Sequence, residues 1–451
     1  VSTRRDKRAN DPDSSTVAVI GAGYVGLPTA ATLAHFGHRV VLAERDPGRL
    51  AALHSGVMPI VEVGLDELVA EGVHAGHLRF SASATEAVVG AQFVFLCVPT
   101  PQGDDGSADL SYVEAAAKEI GPCLEHGTIV VNKSTVPVGS ANMVERVIGR
   151  SDVHVVSNPE FLREGSAVRD SLHPDRLVVG ADNPAAAALV GSLFASTGAP
   201  LMVTDATTSE TIKYASNAFL ATKLSYVNAV AGLCEELGAD VRDVMLGLGY
   251  DKRIGFEFLR PGPGWGGSCL PKDTRALLHI AQQAGYDFSL LAGAIASNEQ
   301  QLARVVAKVE AAAGGDLTGV TVAVWGLTFK ANTDDRRDSP SLQIAHRLRG
   351  LGATVKAFDP TVIVHPSAPG DDVDAAVPDD LVGLTLCGDP YEATRGASVL
   401  VVLTEWDEFR WLDFSQVLTL MAAPSIVDAR NLLDPAAVRR MGFAYKGIGR
   451  Q

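Results

Sequence analysis

Basic residues are in the minority: 38 Lys and Arg stand against 53 Asp and Glu, for a formal net charge of −15. No long basic run offsets that balance, which argues against a nucleic-acid partner, because binding a phosphate backbone needs clustered cations. Apolar runs are short too, and none approaches the roughly 18 residues that a membrane span requires. Residues 1–15 are polar without an apolar centre, so they do not read as a secretory signal. Residues 1–14 are expected to be a disordered lead-in. Cysteine is sparse: Cys97, Cys123, Cys234, Cys269 and Cys387 are odd in number and share no ligand-like spacing. That argues against a disulfide frame and against a metal site, and it fits a reducing cytoplasm. An acidic chain that binds phosphates must then use local cations and helix N-termini.

What is present is α/β grammar. At 451 residues the chain calls for two or three domains. Val/Ile-rich segments alternate with Ala/Leu-rich helical ones, the pattern of parallel sheets. Residues 16–20 read as a buried strand, followed by the turn Gly21-Ala22-Gly23-Tyr24-Val25-Gly26 and a helix to about His35. Gly37 ends the helix, and a strand over 39–43 closes on Glu44. The same order recurs late: a strand over 321–325, Gly326, a helix over 341–349, a break at Gly352, and a strand over 355–358 leading to Asp359. The chain thus holds two Rossmann-like units, and only the first keeps three glycines.

Between them, residues 210–237 have few breakers and carry apolar positions at Ile212, Ala215, Phe219, Leu224, Val227 and Ala231. Two helices with a kink near Ser225 would fit. So would a single connecting helix, roughly 42 Å long, that carries a subunit interface, and this is the reading adopted. The fold expected is α/β: two Rossmann-like parallel-sheet domains joined by a central helical domain with a long connecting helix. The expected boundaries are 15–205, 206–310 and 311–451, with the active site in the cleft.

The glycine motif gains weight from its setting, since it follows a strand, opens a helix, and has Glu44 18 positions after its last glycine. Gly21 permits the turn, Gly23 admits a pyrophosphate, and Gly26 lets helix and sheet pack. Glu44 would accept hydrogen bonds from a ribose and repel a 2′-phosphate, favouring NAD over NADP, although Arg45 and Arg49 nearby weaken that preference. The strands over 93–98 and 129–133 end in hydroxyl-bearing turns with Thr100, Ser134 and Thr135, at the sheet edge where ligands bind. Taken singly, such residues are more often turn formers.

In residues 158–165, Glu160 and Glu164 lie beside the apolar pair Phe161-Leu162. They are either solvated acids or a buried general base. Lys213 and Asn217 share one helix face; that is either a solvated face or a pair able to stabilise an oxyanion. The Gly/Pro-rich loop 255–273 is too long for a mere connector. Its four glycines Gly262, Gly264, Gly266 and Gly267 allow close wrapping of a ligand. Cys269, near Lys272, has reason to be partly exposed with a depressed pKa. The other four cysteines fit small buried hydrophobes, Cys97 within a strand.

Taken together these residues resemble the UDP-glucose/GDP-mannose dehydrogenase family, over about residues 16–450. The matched stretches are 21–27, 98–101, 134–138, 158–165, 262–273, 326–330, 333–340, 359–360, 428–431 and 442–450. The resemblance implies oxidation of a sugar C6 alcohol to a carboxylate in two hydride transfers, using two NAD⁺ and one water. It implies that Cys269 forms a thiohemiacetal and then a thioester. Lys213 and Asn217 would stabilise oxyanions, Asp273 would relay protons and orient water, Thr135 would hold the hydrolytic water, and Glu160 would be its general base. A four-electron oxidation without aldehyde release needs such a covalent anchor.

For the cofactor the resemblance implies Gly21, Gly23, Tyr24, Val25, Gly26, Glu44, Arg49, Thr100, Ser134, Glu164 and Arg337. For the nucleotide sugar it implies Phe161, Leu162, the Glu164 backbone, Lys213, Asn217, Phe258, Gly264, Phe329, Lys330 and Arg430. Arg253 matches an arginine that reaches the substrate of a neighbouring subunit, so a homodimer at least is expected. Lys330, Arg253 and Arg430 would be the local cations of an acidic whole.

The chain departs from the usual pattern around Glu62 in residues 58–65, at Leu270 and at Asp338, and none of these removes a catalytic group. Lys272-Asp273 sets it apart from the N-acetylhexosamine branch, and residues 249–255 look like the UDP-glucose branch. UDP-glucose is the expected substrate, with GDP-mannose or another nucleotide sugar as the alternative. A catalytically silent nucleotide-sugar or NAD-binding protein is the alternative of another class. Against it, every matched catalytic position is filled.

Overall fold

The computed structural model describes residues 14–103, 105–362 and 378–450. Apart from Ser14, the lead-in expected over residues 1–14 lies outside them. The chain divides into two compact units. The first comprises the residues up to Ser216 together with Arg275–Gln283. The second comprises Asn217–Thr274 and the chain from Ala284 onward.

Among the described residues the first unit holds an eight-stranded sheet. Its strands are β1 (Thr16–Ile20), β2 (Arg39–Ala43), β3 (Leu78–Ser81), β4 (Phe93–Leu96), β5 (Ile129–Asn132), β6 (His154–Ser157), β7 (Leu177–Gly180) and β8 (Leu201–Thr204). They lie in the order β3-β2-β1-β4-β5-β6-β7-β8, parallel except for the antiparallel pair β6/β7. Helices cover both faces, which is why β1 is apolar throughout. Val17 and Val19 enter one core layer, Ala18 and Ile20 the other. The order reverses direction at β1/β4, so the carboxyl ends of these two strands flank a crevice. Cys97 directly follows β4, which ends at Leu96, and its N–H still donates to the Ile20 carbonyl at 2.9 Å.

The second unit carries a sheet of β9 (Thr321–Trp325), β10 (Thr354–Phe358), β11 (Thr385–Leu386), β12 (Val399–Val402), β13 (Ser425–Asp428) and β14 (Ala444–Gly447). Its order is β11-β10-β9-β12-β13-β14, the dinucleotide-fold arrangement again. Val322 and Val324 face one core layer, Ala323 and Trp325 the other.

Residues 206–237 form one continuous helix of 32 residues, roughly 48 Å long, with no second helix starting near Ser225. Ser225 serves another purpose: its hydroxyl donates to the Ala294 carbonyl at 2.7 Å, tying this helix to Ser289–Ala312. Val227, Ala231 and Cys234 enter the core. Phe219, Tyr226 and Leu233, each seven residues from the next, remain 68%, 58% and 54% exposed. No helix among the described residues is long and apolar enough to cross a membrane.

Candidate active site

The glycine turn is shaped by what surrounds it. Gly21 has φ +102°, and a Cβ there would come within 2.7 Å of the Cys97 carbonyl oxygen. A Cβ on Gly26 would strike the Gly21 carbonyl oxygen, so the helix Gly26–His35 could not start so close to β1. Next to Gly23 there is open space within 4 Å, which is what a pyrophosphate approaching backbone N–H groups requires. Tyr24 and Val25 pack partly buried against the core below.

Glu44 is buried, and its carboxylate folds back on the turn, accepting from the Ala22 N–H at 3.1 Å and from the Asp46 N–H at 2.9 Å. Each oxygen keeps a lone pair for a ribose hydroxyl. At the same sheet edge, the Thr100 hydroxyl donates to the Thr135 carbonyl at 2.9 Å and Ser134 donates to the Val98 carbonyl at 2.7 Å. These hydroxyls fasten the ends of β4 and β5 and leave oxygen lone pairs as acceptors. Arg49 is exposed on the following helix. The crevice therefore fits a dinucleotide at the glycine turn, Glu44 and the β4/β5 edge.

In the same unit Lys213 and Glu160 form a buried ion pair, Nζ to Oε1 2.7 Å, with both side chains 4% exposed. The other Glu160 oxygen accepts from the Leu162 N–H at 2.6 Å. Burial alone would push the Glu160 carboxyl up, but the Lys213 charge and hydrogen bond, with smaller help from the Leu162 N–H and Lys133, hold it below the usual carboxylate range. Lys213 also lies over the Phe161 ring, 5.4 Å from its centre.

In the second unit Asp273 is fully buried and accepts from Asn217 Nδ2 at 2.6 Å and from Lys272 Nζ at 2.5 Å. Cys269 is partly exposed and directly precedes the helix Leu270–Gln283, its carbonyl accepting the Asp273 N–H at 2.9 Å. The helix N-terminus favours negative charge on the sulfur, and the Ser268 hydroxyl stands 3.5 Å from it.

The loop before Cys269 is pinned by amide side chains. Asn228 accepts from the Gly262 N–H at 2.9 Å, Gln301 donates to the Gly262 carbonyl at 2.8 Å, and Asn298 accepts from the Trp265 N–H at 2.8 Å and donates to its carbonyl at 3.0 Å. Protein fills the space beside its glycines. A Cβ on Gly267 would meet the Phe329 ring at 2.9 Å, one on Gly266 would strike the Asp338 carbonyl, and one on Gly264 would meet Asn298 at 3.0 Å. Gly266 and Gly267 serve loop-on-loop packing, and Gly264 lets the loop approach the helix Ser289–Ala312 closely.

Three of the predicted substrate residues of this unit, Phe329, Lys330 and Arg430, lie beside this loop. Arg430 donates to the Phe329 carbonyl at 2.6 Å and to the Leu403 carbonyl at 2.7 Å, and Lys330 lies over the Phe329 ring. Arg337 clamps the buried Asp335 at 2.8 Å through two nitrogens. Among the described residues, the non-glycine positions with positive φ are Phe258, Asn332, Asp338 and Asn431. Each is, or lies within two positions of, a predicted substrate or cofactor residue. Backbone held in this region for a bulky residue such as Phe258 is costly and concentrates at ligand sites. Arg253 stands apart, paired with Asp251 at 2.6 Å and 89% exposed.

Models of the UDP-glucose/GDP-mannose dehydrogenase family match the chain in three stretches: its NAD binding domain over residues 15–197, its central domain over 207–300, and its UDP binding domain over 323–435. The chain belongs to this family. A UDP-glucose 6-dehydrogenase of Rhizobium meliloti (strain 1021) is 46% identical over 445 residues, covering 96% of this chain and 99% of the relative. One of Pseudomonas aeruginosa is 44% identical with 96% and 97% coverage. The structure of a UDP-glucose dehydrogenase from Pyrobaculum islandicum superposes with a TM-score of 0.86 at 35% identity, covering 97% of this chain and 98% of that one. As a UDP-glucose/GDP-mannose dehydrogenase the chain is an oxidoreductase whose cofactor is NAD.

Sequence reasoning missed several polar groups that fasten the segments carrying the candidate residues. Glu62 is buried and accepts from the Gly165 and Ala167 N–H groups, both at 2.7 Å, clamping the segment that follows Glu164. Glu210 accepts from the Gly139 N–H at 2.6 Å and the Ala141 N–H at 2.9 Å, capping the helix Ser140–Ile148. Asn228 and Gln301 are buried and Asn298 is half-buried, each a polar residue facing the cysteine loop from the helices Ala206–Leu237 and Ser289–Ala312.

Proposed function

We propose that this chain oxidises UDP-glucose to UDP-glucuronate, with two NAD⁺ reduced per sugar. The observation that carries the reading is the Cys269 segment: a thiol at a helix N-terminus, followed by a buried Asp273 that already holds Asn217 and Lys272. End-to-end likeness to relatives named for UDP-glucose supports it over GDP-mannose.

NAD, when bound, accepts the hydride in each half of the reaction. The residues do the rest. Asp273 takes the C6 hydroxyl proton directly or through water. Lys213 and Asn217 donate to the oxygen as it gains charge, one turn apart on the same helix. Cys269 Sγ adds to the aldehyde carbon, and loss of the second hydride leaves a thioester. Water held by Thr135 then bonds to that carbon, the C–S bond breaks with its electron pair leaving on Sγ, and the water proton passes to Glu160. In sum, alcohol, two NAD⁺ and water give carboxylate, two NADH and three protons. Phe161, Leu162, Phe258, Gly264, Phe329, Lys330 and Arg430 hold the nucleotide sugar. Glu164 and Arg337 serve the cofactor.

Stoichiometry is the test. Two NADH per UDP-glucose are expected, with GDP-mannose and UDP-N-acetylglucosamine turning over far more slowly. One NADH with free aldehyde, or none, defeats the reading.

We further propose a homodimer. The apolar stripe Phe219, Tyr226 and Leu233 on one helix face supports it, and the exposed Arg253 would reach the partner's substrate. A reduced Cys269 and a supply of NAD suit the cytoplasm.

A further inference from the structure

We propose that Lys133 is a positioning residue for the hydrolytic half of this reaction, fixing the turn that carries Glu160 and supplying that carboxylate with a second cation. The inference rests on the role given to Glu160 above.

Lys133 directly follows β5 and is buried, 7% exposed. Its ammonium donates to Asn158 Oδ1 at 2.9 Å. Asn158 is fastened twice more, its N–H to the Asn132 carbonyl at 2.9 Å and its Nδ2 to the Val178 carbonyl at 2.8 Å. Only Pro159 separates Asn158 from Glu160, so the position of the carboxylate is set from here. Among the described residues Lys133 forms no ion pair, and its ammonium also lies 5.3 Å from the centre of the Phe194 ring.

A buried ammonium without an ion pair is expensive. Burial pushes Lys133 down to about 8; Cys97 and Glu160 work in the opposite direction, and the Lys213 charge adds a smaller push downward. Methionine would pack in the same space without that cost, so the charge needs a use. Glu160 supplies one. Its direct partner Lys213 is also assigned to the substrate oxyanion, and one ammonium cannot serve both through the whole cycle. Lys133 has no second duty and keeps the carboxylate ionised and in place while Lys213 is engaged. A cavity of about 200 Å³ is lined by Lys133, Glu160, Thr32 and Phe194, which gives small molecules a way to the ammonium.

The test uses the full-length enzyme mixed rapidly with UDP-glucose and NAD⁺. Both hydride transfers precede hydrolysis. Lys133→Met should therefore give a burst of two NADH per site at about the wild-type rate, and then a steady state slowed about 30- to 100-fold. KM for UDP-glucose should stay within about twofold, because the lesion lies after binding. In Lys133→Ala, ethylammonium should restore steady turnover, and neutral propanol should not. A wild-type steady state in Lys133→Met, a burst slowed as much as the steady state, or equal rescue by the alcohol would each overturn the proposal. If Lys133→Met does not fold, Lys133→Gln decides, since it keeps a donor for Asn158 without the charge: slow hydrolysis supports the proposal and wild-type turnover refutes it. If the wild type itself gives no two-NADH burst or turnover, the underlying reading has failed instead.

Discussion

Replacing Glu160 with Gln isolates the step that frees the product. The carboxylate accepts from Lys213 at 2.7 Å and from the Leu162 N–H at 2.6 Å, so an amide of nearly the same shape keeps one acceptor and loses the charge. General bases contribute about 10²- to 10⁴-fold. A carboxylate held low by neighbouring cations is a weak base, so the lower end applies: about 10²-fold, or about 3 kcal/mol of barrier. Removing the anion also leaves the Lys213 ammonium buried. Losing one partner of such a pair costs about 3–5 kcal/mol, less here because the amide oxygen still accepts. The variant should melt earlier but remain folded at 25 °C. Stopped-flow absorbance should show two NADH per site formed at the wild-type rate, then a steady state about 100-fold slower. Acid quench should recover Cys269 carrying the uronyl group. A wild-type steady state, or a slowed burst with no adduct on Cys269, would refute the assignment.

Three further outcomes follow from the same structure. Cys269→Ser should abolish net turnover and arrest the reaction after the first NADH; wild-type kcat in this variant would exclude the covalent route. Burial pushes Glu210 up to about 7 against the backbone bonds it accepts. The native state then holds a proton that the unfolded chain releases above about 4.5, so this stabilisation is full below that pH and is lost as pH rises through 7. Glu210→Gln should flatten that part of the melting-temperature profile, by no more than about 3 kcal/mol, and an unchanged profile would show that the group does not titrate there. Phe219→Glu should shift the sedimenting species toward monomer with each unit still folded; an unchanged assembly would place the interface elsewhere.

Strand positions were readable because both sheets are buried on two faces, and continuous apolar runs such as 17–20 and 322–325 have no other use. The glycine turn was readable because steric demand at Gly21 and Gly26 is local. Partner choice was not. Lys213 finds Glu160 across 53 residues and Asn217 finds Asp273 across 56, distances over which spacing says nothing. The glycines before Cys269 looked ready for a ligand, but what crowds them is Phe329 and Asp338. Lys133 gives no signal in the sequence, since it sits at a strand end among hydroxyl residues, and burial, which makes it unusual, is a property of the fold.

The placement of Glu44 bears on cofactor engineering. On the reading that Glu44 holds the NAD ribose, a switch toward NADP would start by removing this carboxylate, whose charge would repel a 2′-phosphate. The same two oxygens, however, hold the Ala22 and Asp46 N–H groups, and stranding a buried donor costs about 1–3 kcal/mol. A neutral replacement would loosen the turn before it gained any selectivity. Asp359 repeats the arrangement in the second unit, accepting from the Leu327 and Thr328 N–H groups at 2.7 and 3.1 Å. On that reading, cofactor preference and turn integrity are one trait in the first unit, and a successful redesign has to supply new acceptors for the turn along with new cations for the phosphate.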